Sequence, residues 1–251
     1  MTGDLGEGGH RPWPPPRRPW WGTQVWHSLG FLHWPVPVGW LRSLVPEALE
    51  IEQFDGTAWV AVTPFWMSEV TLRGFPPPPL VSRFPELNTR TYVTREGRPG
   101  VWFFSLDAGS RLAVAVARAR FRLPYHYARM SHRTDGRRVT YRSERKDVAF
   151  SGWYEPRGEI FHPRPGTVEH FLTERYCLYA RDPKGRVYRA EIHHEPWPLQ
   201  VAAAGIERNT MLTGQGIPVS APPALVHFAL RMEVKVWSPA RLAIGESGAG
   251  R

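Results

Sequence analysis

Cysteine and lysine are almost missing from this sequence. One cysteine, Cys177, stands among 251 residues, which excludes an internal disulfide and any all-cysteine metal site within one chain. Lysine occurs at Lys146, Lys184 and Lys235 only, against 29 arginines. No run of 18 apolar residues exists, so no transmembrane helix is expected. Residues 1–16 lack an apolar segment and a cleavage site, so no secretory signal is read and a cytoplasmic location is the expectation. GxSxG, the P-loop, the dinucleotide fingerprint and HExxH are all absent, as is any repeat of 20–50 residues.

What is present describes a globular protein: 42% of residues are hydrophobic and 22% charged, enough to build a sizeable core. The net charge of +9 is concentrated. Between Arg111 and Lys146 lie eleven basic residues and two acids, Asp135 and Glu144, so the whole excess sits there and the rest of the chain balances. Such a segment reads as an anion site, a nucleic-acid face or a pair of strands with solvated arginines. No RNP1 pattern, zinc-finger spacing or basic zipper supports the nucleic-acid reading.

Five prolines and four glycines within residues 1–21 block regular structure, so residues 1–18 are expected as a disordered tail. Residues 24–34 read as a strand, and residues 37–44 as a short helix ended by Pro46. Residues 49–53 and 59–62 alternate about Asp55-Gly56 as a β-hairpin. The FPPPPL run at 75–80 is expected as a loop. Strands follow at 87–94 and 101–106, the second with Trp102 and Phe104 on one face and Phe103 and Ser105 on the other. Asp107 is expected to cap a small-residue helix over 111–119. Three antiparallel strands are expected at 125–130, 137–142 and 146–154. A helix capped by Thr167 should span 166–175, with strands at 176–180, 187–192 and 225–237. No strand–helix–strand rhythm appears, so a parallel sheet is not expected. About ten strands and three short helices predict a mainly β, α+β protein: one antiparallel barrel or curved sheet over residues 19–238, followed by a disordered C-terminal tail at 239–251.

Several fragments read together as one pattern: WHSLGFLHWPVPVGWLRSLVPEALEIEQFDGTAWVAVTPF, ELNTRTYV, GRPGVWFFSLDA, ARARFRLPYHYARM, and TVEHFLTERYCLY before HHEPWPL. The set resembles the YqjF-like family, domain of unknown function 2071, over about residues 20–238. That family is placed near the acetoacetate-decarboxylase-like superfamily. The resemblance implies a cone-shaped antiparallel β-barrel with a few short helices around a central cavity. The decarboxylases carry an acid on a strand, an arginine closing a helix, and a proline before two lysines, the first of which forms an imine with a ketone. On this likeness Glu86 matches the acid, Arg118 the arginine and Pro124 the proline, while Tyr125 and His126 stand at the two lysine positions. Neither side chain can form an imine, so the resemblance implies a retained cavity without Schiff-base decarboxylation.

Glu86, Asn88, Arg90 and Tyr92 share one strand face, since faces repeat every two residues. Such a row either lines a cavity or forms an internal ion pair. In a cavity, Arg90 or Arg118 would clamp a carboxylate, and Glu86 would act as acid or base. Tyr125 would serve as its partner or as a buried structural hydroxyl, with His126 on the opposite face. Arg175 would pair with Glu86 or with a ligand anion. Adjacent His193 and His194 point to opposite faces, so no metal site is expected. Three functions are carried forward. The first is a barrel that binds a small organic acid or ketone through Glu86, Arg90, Tyr92, Arg118, His126 and Arg175. The second is a lysine-independent lyase, hydratase or cyclase using Glu86 and Tyr125. The third is a nucleic-acid-associated protein. No cofactor and no membrane partner are expected, and a homo-oligomer stays open.

Overall fold

The computed structural model describes residues 9–75 and 83–242. Most of the expected FPPPPL loop, residues 76–80, lies outside them, as do residues 1–8 and 243–251. In chain order the strands are β1 (Gly22–Val36), β2 (Glu50–Ile51), β3 (Ala58–Leu72), β4 (Phe84–Arg95) and β5 (Arg98–Ala108), followed by helix α1 (Arg111–Phe121). Then come β6 (Tyr125–Tyr127), β7 (Arg129–Asp135), β8 (Arg138–Arg145), β9 (Val148–Phe161) and helix α2 (Val168–Thr173). The chain ends with β10 (Cys177–Arg181), β11 (Val187–His193), β12 (Leu199–Asn209), β13 (Leu225–Val236) and β14 (Ala240–Arg241). Residues 37–44 form only a 3-10 turn at Val38–Trp40, with Leu41 and Val45 buried beyond it.

Strand pairing runs β11-β10-β5-β4-β3-β1-β13, and β13 returns to β11 through Ile192–Val236 and His193–Lys235. Seven strands are therefore hydrogen-bonded in a closed circuit. From β13 the sheet continues outward as β12-β9-β8-β7 and folds back over the outside of β1, β3 and β4. Two tyrosines fix that return. The Tyr141 hydroxyl donates to the carbonyls of Phe65 (2.8 Å) and Glu86 (2.7 Å), and the Tyr154 hydroxyl donates to that of Ser28 (2.7 Å).

Alternation along the ring strands divides two apolar cores. Phe31, Phe65, Met67, Tyr92 and Val101 turn into the ring. Leu32, Trp34, Val60, Val62, Leu87 and Val93 turn outward and meet Tyr141, Phe150 and Tyr154 of the returning sheet. The pairing of β4 with β5 slips between Thr89 and Arg90, where Ser105 faces Thr89 and Phe103 faces Arg90. This bulge at Phe104 changes the parity of β5, so Val101 and Phe103 before it and Leu106 after it all belong to the inner side. The simple alternation expected for 101–106 therefore fails beyond Phe103.

Several other local expectations change. Ser110, not Asp107, caps α1, its Oγ accepting from Ala113 N at 3.2 Å. Asp107 instead ends β5 fully buried, held by Arg145 Nε (2.8 Å) and Ser105 Oγ (2.9 Å). The segment around Ile51 pairs with Val93 of β4 rather than with residues 59–62. The Asp55-Gly56 turn joins only Phe54 and Thr57, both turn residues having positive φ (48° and 73°). Parallel pairing was not expected, yet β6 and β10 both run parallel to β5. The sheet is mixed because α1 supplies a crossover from β5 to β6. β12 was missed altogether: VAAAGIE offers no alternation to read.

Residues 9–18, expected within the tail, lie against the domain where described. Arg11 Nη2 (3.1 Å) and Trp13 Nε1 (2.8 Å) donate to one oxygen of Glu191; Arg98 Nη1 (3.3 Å) and Arg189 Nε (3.0 Å) donate to the other. At the other end, β14 adds to the edge of β11. Replacing Glu191 by Ala leaves the fully buried Arg11 guanidinium without its counter-charge. The expected cost is about 3–5 kcal/mol, read as a lower denaturation midpoint with an unchanged slope in urea.

Candidate functional site

The ring is not packed solid. A cavity of about 200 Å³ lies among β1, β3, β4, β5 and α1, smaller than the roughly 300–1,000 Å³ of pockets for drug-sized ligands. Trp26, Phe65, Phe103 and Trp197 wall it, and α1 contributes Leu112, Ala113, Val116, Ala117 and Phe121. Leu112 and Val116 are also 57% and 42% exposed, so the cavity opens beside α1. Its helical spacing explains this: residues 113, 116, 117 and 121 recur on one face.

Into this apolar space β4 brings Glu86, Asn88 and Arg90. Glu86 is 2% exposed, and Oε2 accepts from the Tyr125 hydroxyl at 2.9 Å. Burial pushes the Glu86 carboxyl up from the ordinary 4.5 to about 8, opposed less strongly by the Tyr125 hydrogen bond and the Arg90 charge. At pH 7 it is mostly a neutral acid. Burial likewise raises Tyr125 well above the usual phenol range, with Glu86 adding to the effect. Arg90 donates from Nε to Asn88 Oδ1 at 3.0 Å, and its guanidinium lies 5.8 Å and 5.9 Å from the rings of Phe31 and Phe103. Among the described residues no carboxylate pairs with it.

Arg175 also lines the cavity, but its charge is committed. It forms an ion pair with Glu52, not Glu86, and donates from Nε to Phe171 O at the end of α2 (2.6 Å). Tyr92 shares the inner face of β4 yet sits behind Arg175, its ring 5.1 Å from that guanidinium and its hydroxyl 2.8 Å from His33 Nε2. Arg118 and His126 lie outside the cavity lining. Both face an outer cleft across α1, where Arg118 Nε donates to Tyr125 O at 2.6 Å. Their sequence neighbours set this: residues 117 and 121 take the inner face of α1, leaving 118 outside. Sequence reasoning passed over Gln24, His194 and Trp197 as lining residues. The dense aromatic stretch TQVWHSLGF and the HHEPW turn were the available signals. Buried Trp197 Nε1 has no hydrogen-bond partner among the described residues. None of the three lysines lines the cavity, and no described cluster of His, Cys, Asp or Glu has the geometry of a metal site.

This geometry can now be set beside known proteins. The profile of DUF2071, described as an uncharacterized conserved protein (COG2071), matches residues 23–233. The chain belongs to the DUF2071 family. The uncharacterized protein YqjF of Bacillus subtilis (strain 168) is 42% identical over 221 residues, 87% of this chain and 91% of YqjF. Among solved structures, the enduracididine biosynthesis enzyme MppR complexed with the condensation product of pyruvate and imidazole 4-carboxaldehyde superposes with a TM-score of 0.65 at 13% identity, covering 96% of this chain and 98% of that one. Acetoacetate decarboxylase from Legionella pneumophila subsp. pneumophila str. Philadelphia 1 gives 0.64 at 9% identity, covering 92% and 91%. At these identities the likeness establishes an acetoacetate-decarboxylase-like fold. No described helix is long and apolar enough to cross a membrane.

The raised Glu86 carboxyl sets a pH dependence. The folded chain holds this proton up to about pH 8, whereas the unfolded carboxyl releases it near 4.5, so stability falls as pH rises through that window and levels off above it. Glu86→Gln should remove the dependence while keeping the hydrogen bond from Tyr125. In urea titrations at pH 6 and pH 9, the variant is expected to gain stability relative to wild type at the higher pH. Equal losses in both proteins would assign the pH effect to other groups.

Proposed function

We propose that this DUF2071 protein binds a small organic acid in the cavity, with the carboxylate against Arg90 and the apolar body among Trp26, Phe65, Phe103 and Trp197. The observation that carries this reading is the Arg90 guanidinium. It lies in an apolar enclosure, its Nη groups donate to no described residue, and the nearest acid, Glu86, is neutral at pH 7. A buried cation without a counter-charge is costly, and an incoming carboxylate supplies one through paired charge-assisted hydrogen bonds. The cavity volume restricts the acid to a compact one. MppR, which shares the fold, has been solved with pyruvate, a ligand of this chemical class.

The test is a thermal-shift series with pyruvate, isovalerate and phenylacetate, each beside its neutral amide. A ligand that binds only the folded state raises the melting temperature. The acids are expected to shift it and the amides are not. Arg90→Met should weaken acid binding by roughly 30–100-fold, equivalent to about 2–3 kcal/mol for a hydrogen bond to a charged group. Amides that stabilise as well as acids, or an Arg90→Met variant that binds normally, would remove the proposal.

One observation favours catalysis as a second reading. Glu86 Oε2 is taken by Tyr125, while Oε1 has no partner among the described residues, so a carboxyl with a pKa of about 8 is poised to move a proton at a bound ligand. Without a lysine in the lining, an imine is not part of the chemistry, and borohydride with a β-keto acid should give no covalent adduct. Proton exchange at the carbon beside the ketone, followed by NMR in heavy water, is the direct assay. Glu86→Gln should abolish the exchange and leave the Arg90-dependent thermal shift intact. Exchange that persists in this variant would exclude Glu86 as the base.

A further inference from the structure

α1 has a second lined face. Arg111 and Arg118 stand seven residues apart, hence on one side of the helix, with Val114 and Ala115 between them. Opposite them come His126 and Tyr127 of β6 and the Arg145-Lys146 turn that joins β8 to β9. Together these residues line an outer cleft of about 490 Å³. Four permanent cations converge on it, and one acid answers them from behind: the buried Asp107, which is committed to Arg145 at 2.8 Å. Among the described residues, Arg111, Arg118 and Lys146 form no ion pair.

Arg111, Arg118 and Lys146 are exposed, and the two arginines are each held by a neighbouring residue. The Arg111 guanidinium lies 4.0 Å from the centre of the Tyr127 ring, a cation–π contact that fixes its plane. Arg118 is anchored through Nε on Tyr125 O (2.6 Å), and its Nη2 reaches His126 Nδ1 at 3.4 Å. A guanidinium only donates, so Nδ1 accepts and the neutral ring carries its hydrogen on Nε2. Burial and then the charges of Arg145, Arg118 and Lys146 hold His126 below its usual pKa, partly offset by Asp107. An anion in the cleft would relieve the repulsion among these cations and meet donors already in place.

We infer that the cleft between α1, β6 and the β8–β9 turn is a binding site for a compact phosphate-bearing small molecule. Arg111, Arg118 and Lys146 supply the charge that holds it. Phosphate chemistry fits because its several oxygens match arginine forks approaching from two sides. A nucleic-acid backbone fits less well. It needs an extended stripe, whereas three of the neighbouring arginines outside the cleft are engaged elsewhere. Arg138 pairs with Glu155, Arg142 with Glu207, and Arg122 stacks on Tyr188.

The experiment is isothermal titration of the full chain with pyrophosphate, inorganic phosphate and a DNA duplex of about 20 base pairs. The expected result is one pyrophosphate site, tighter than that for phosphate, weakened by added salt. Arg111→Ala and Lys146→Ala should each weaken pyrophosphate about tenfold, the effect of losing one charge-assisted contact. Both residues leave the fold's internal hydrogen bonds untouched, so circular dichroism should be unchanged. Replacing exposed Arg133 of β7 and Arg137 of the β7–β8 turn should have no effect. Arg90→Met should also leave pyrophosphate binding intact, which separates this site from the inner cavity. The inference is overturned by no pyrophosphate binding up to about 10 mM, by equal losses in the Arg133/Arg137 variant, or by DNA binding that displaces pyrophosphate and depends equally on Arg133 and Arg137.

Discussion

Strand β4 is covered on both faces, and this fixes what the molecule can do. Leu87 and Val93 pack outward beneath Tyr141 and Phe150 of the returning sheet. Glu86, Asn88 and Arg90 therefore turn into the ring and have no route to bulk water except the cavity. A polar row in that position must be satisfied by its neighbours. Asn88 answers Arg90, and Tyr125 answers Glu86, each with one hydrogen bond. Neither pairing consumes the group fully: guanidinium donors and one carboxyl oxygen remain. The unspent chemistry of the site follows from placing three polar residues on a strand that cannot turn them outward.

The two cores depend on each other through the tyrosine hydroxyls. Tyr141 bonds the backbone carbonyl of Glu86 itself, and Tyr154 bonds that of Ser28, a non-glycine residue at φ 50° within a register shift of β1. The outer core thus holds the backbone under the functional row and supports a conformation that costs energy by itself. Ring closure depends on only two residue pairs between β11 and β13. The Glu191 cluster sits on the same strand, β11, and ties it to residues 11 and 13 as well as to β5 through Arg98. A backbone bond from Trp237 N to Glu191 O (2.9 Å) extends the β11–β13 seam just beyond β13.

Period-two patterning made the long strands and the shared face of Glu86, Asn88 and Arg90 legible in the sequence, because burial on one side of a strand leaves a mark every second residue. Turn chemistry marked Asp55-Gly56 as a turn, though not the hairpin expected about it, and Thr167 marked the start of α2. The family resemblance supplied closure and the hollow centre, which no local pattern encodes. What escaped were features decided at long range. The bulge at Phe104 depends on how β4 meets β5. The Ser110 cap competes with an equally suitable Asp107, and burial beside Arg145 decides between them. Arg175 was expected against Glu86 or a ligand anion, and only the folded chain brings Glu52 against it.

α1 shows how one short helix serves two environments. Its alanines on the inner side, Ala113 and Ala117, let the backbone approach the cavity closely, while Leu112 and Val116 border the opening. The arginines of the same turns take the outer side, where a long flexible stem and a charged end suit a wet cleft. The helix is joined to the inner acid by two bonds in series. Arg118 holds the Tyr125 carbonyl, and the Tyr125 hydroxyl holds Glu86. Tyr125 cannot move far in either direction without stretching one of them. The position of the inner hydroxyl is therefore set partly from the outer face of the helix, and Tyr125 is the residue through which both sides of α1 meet.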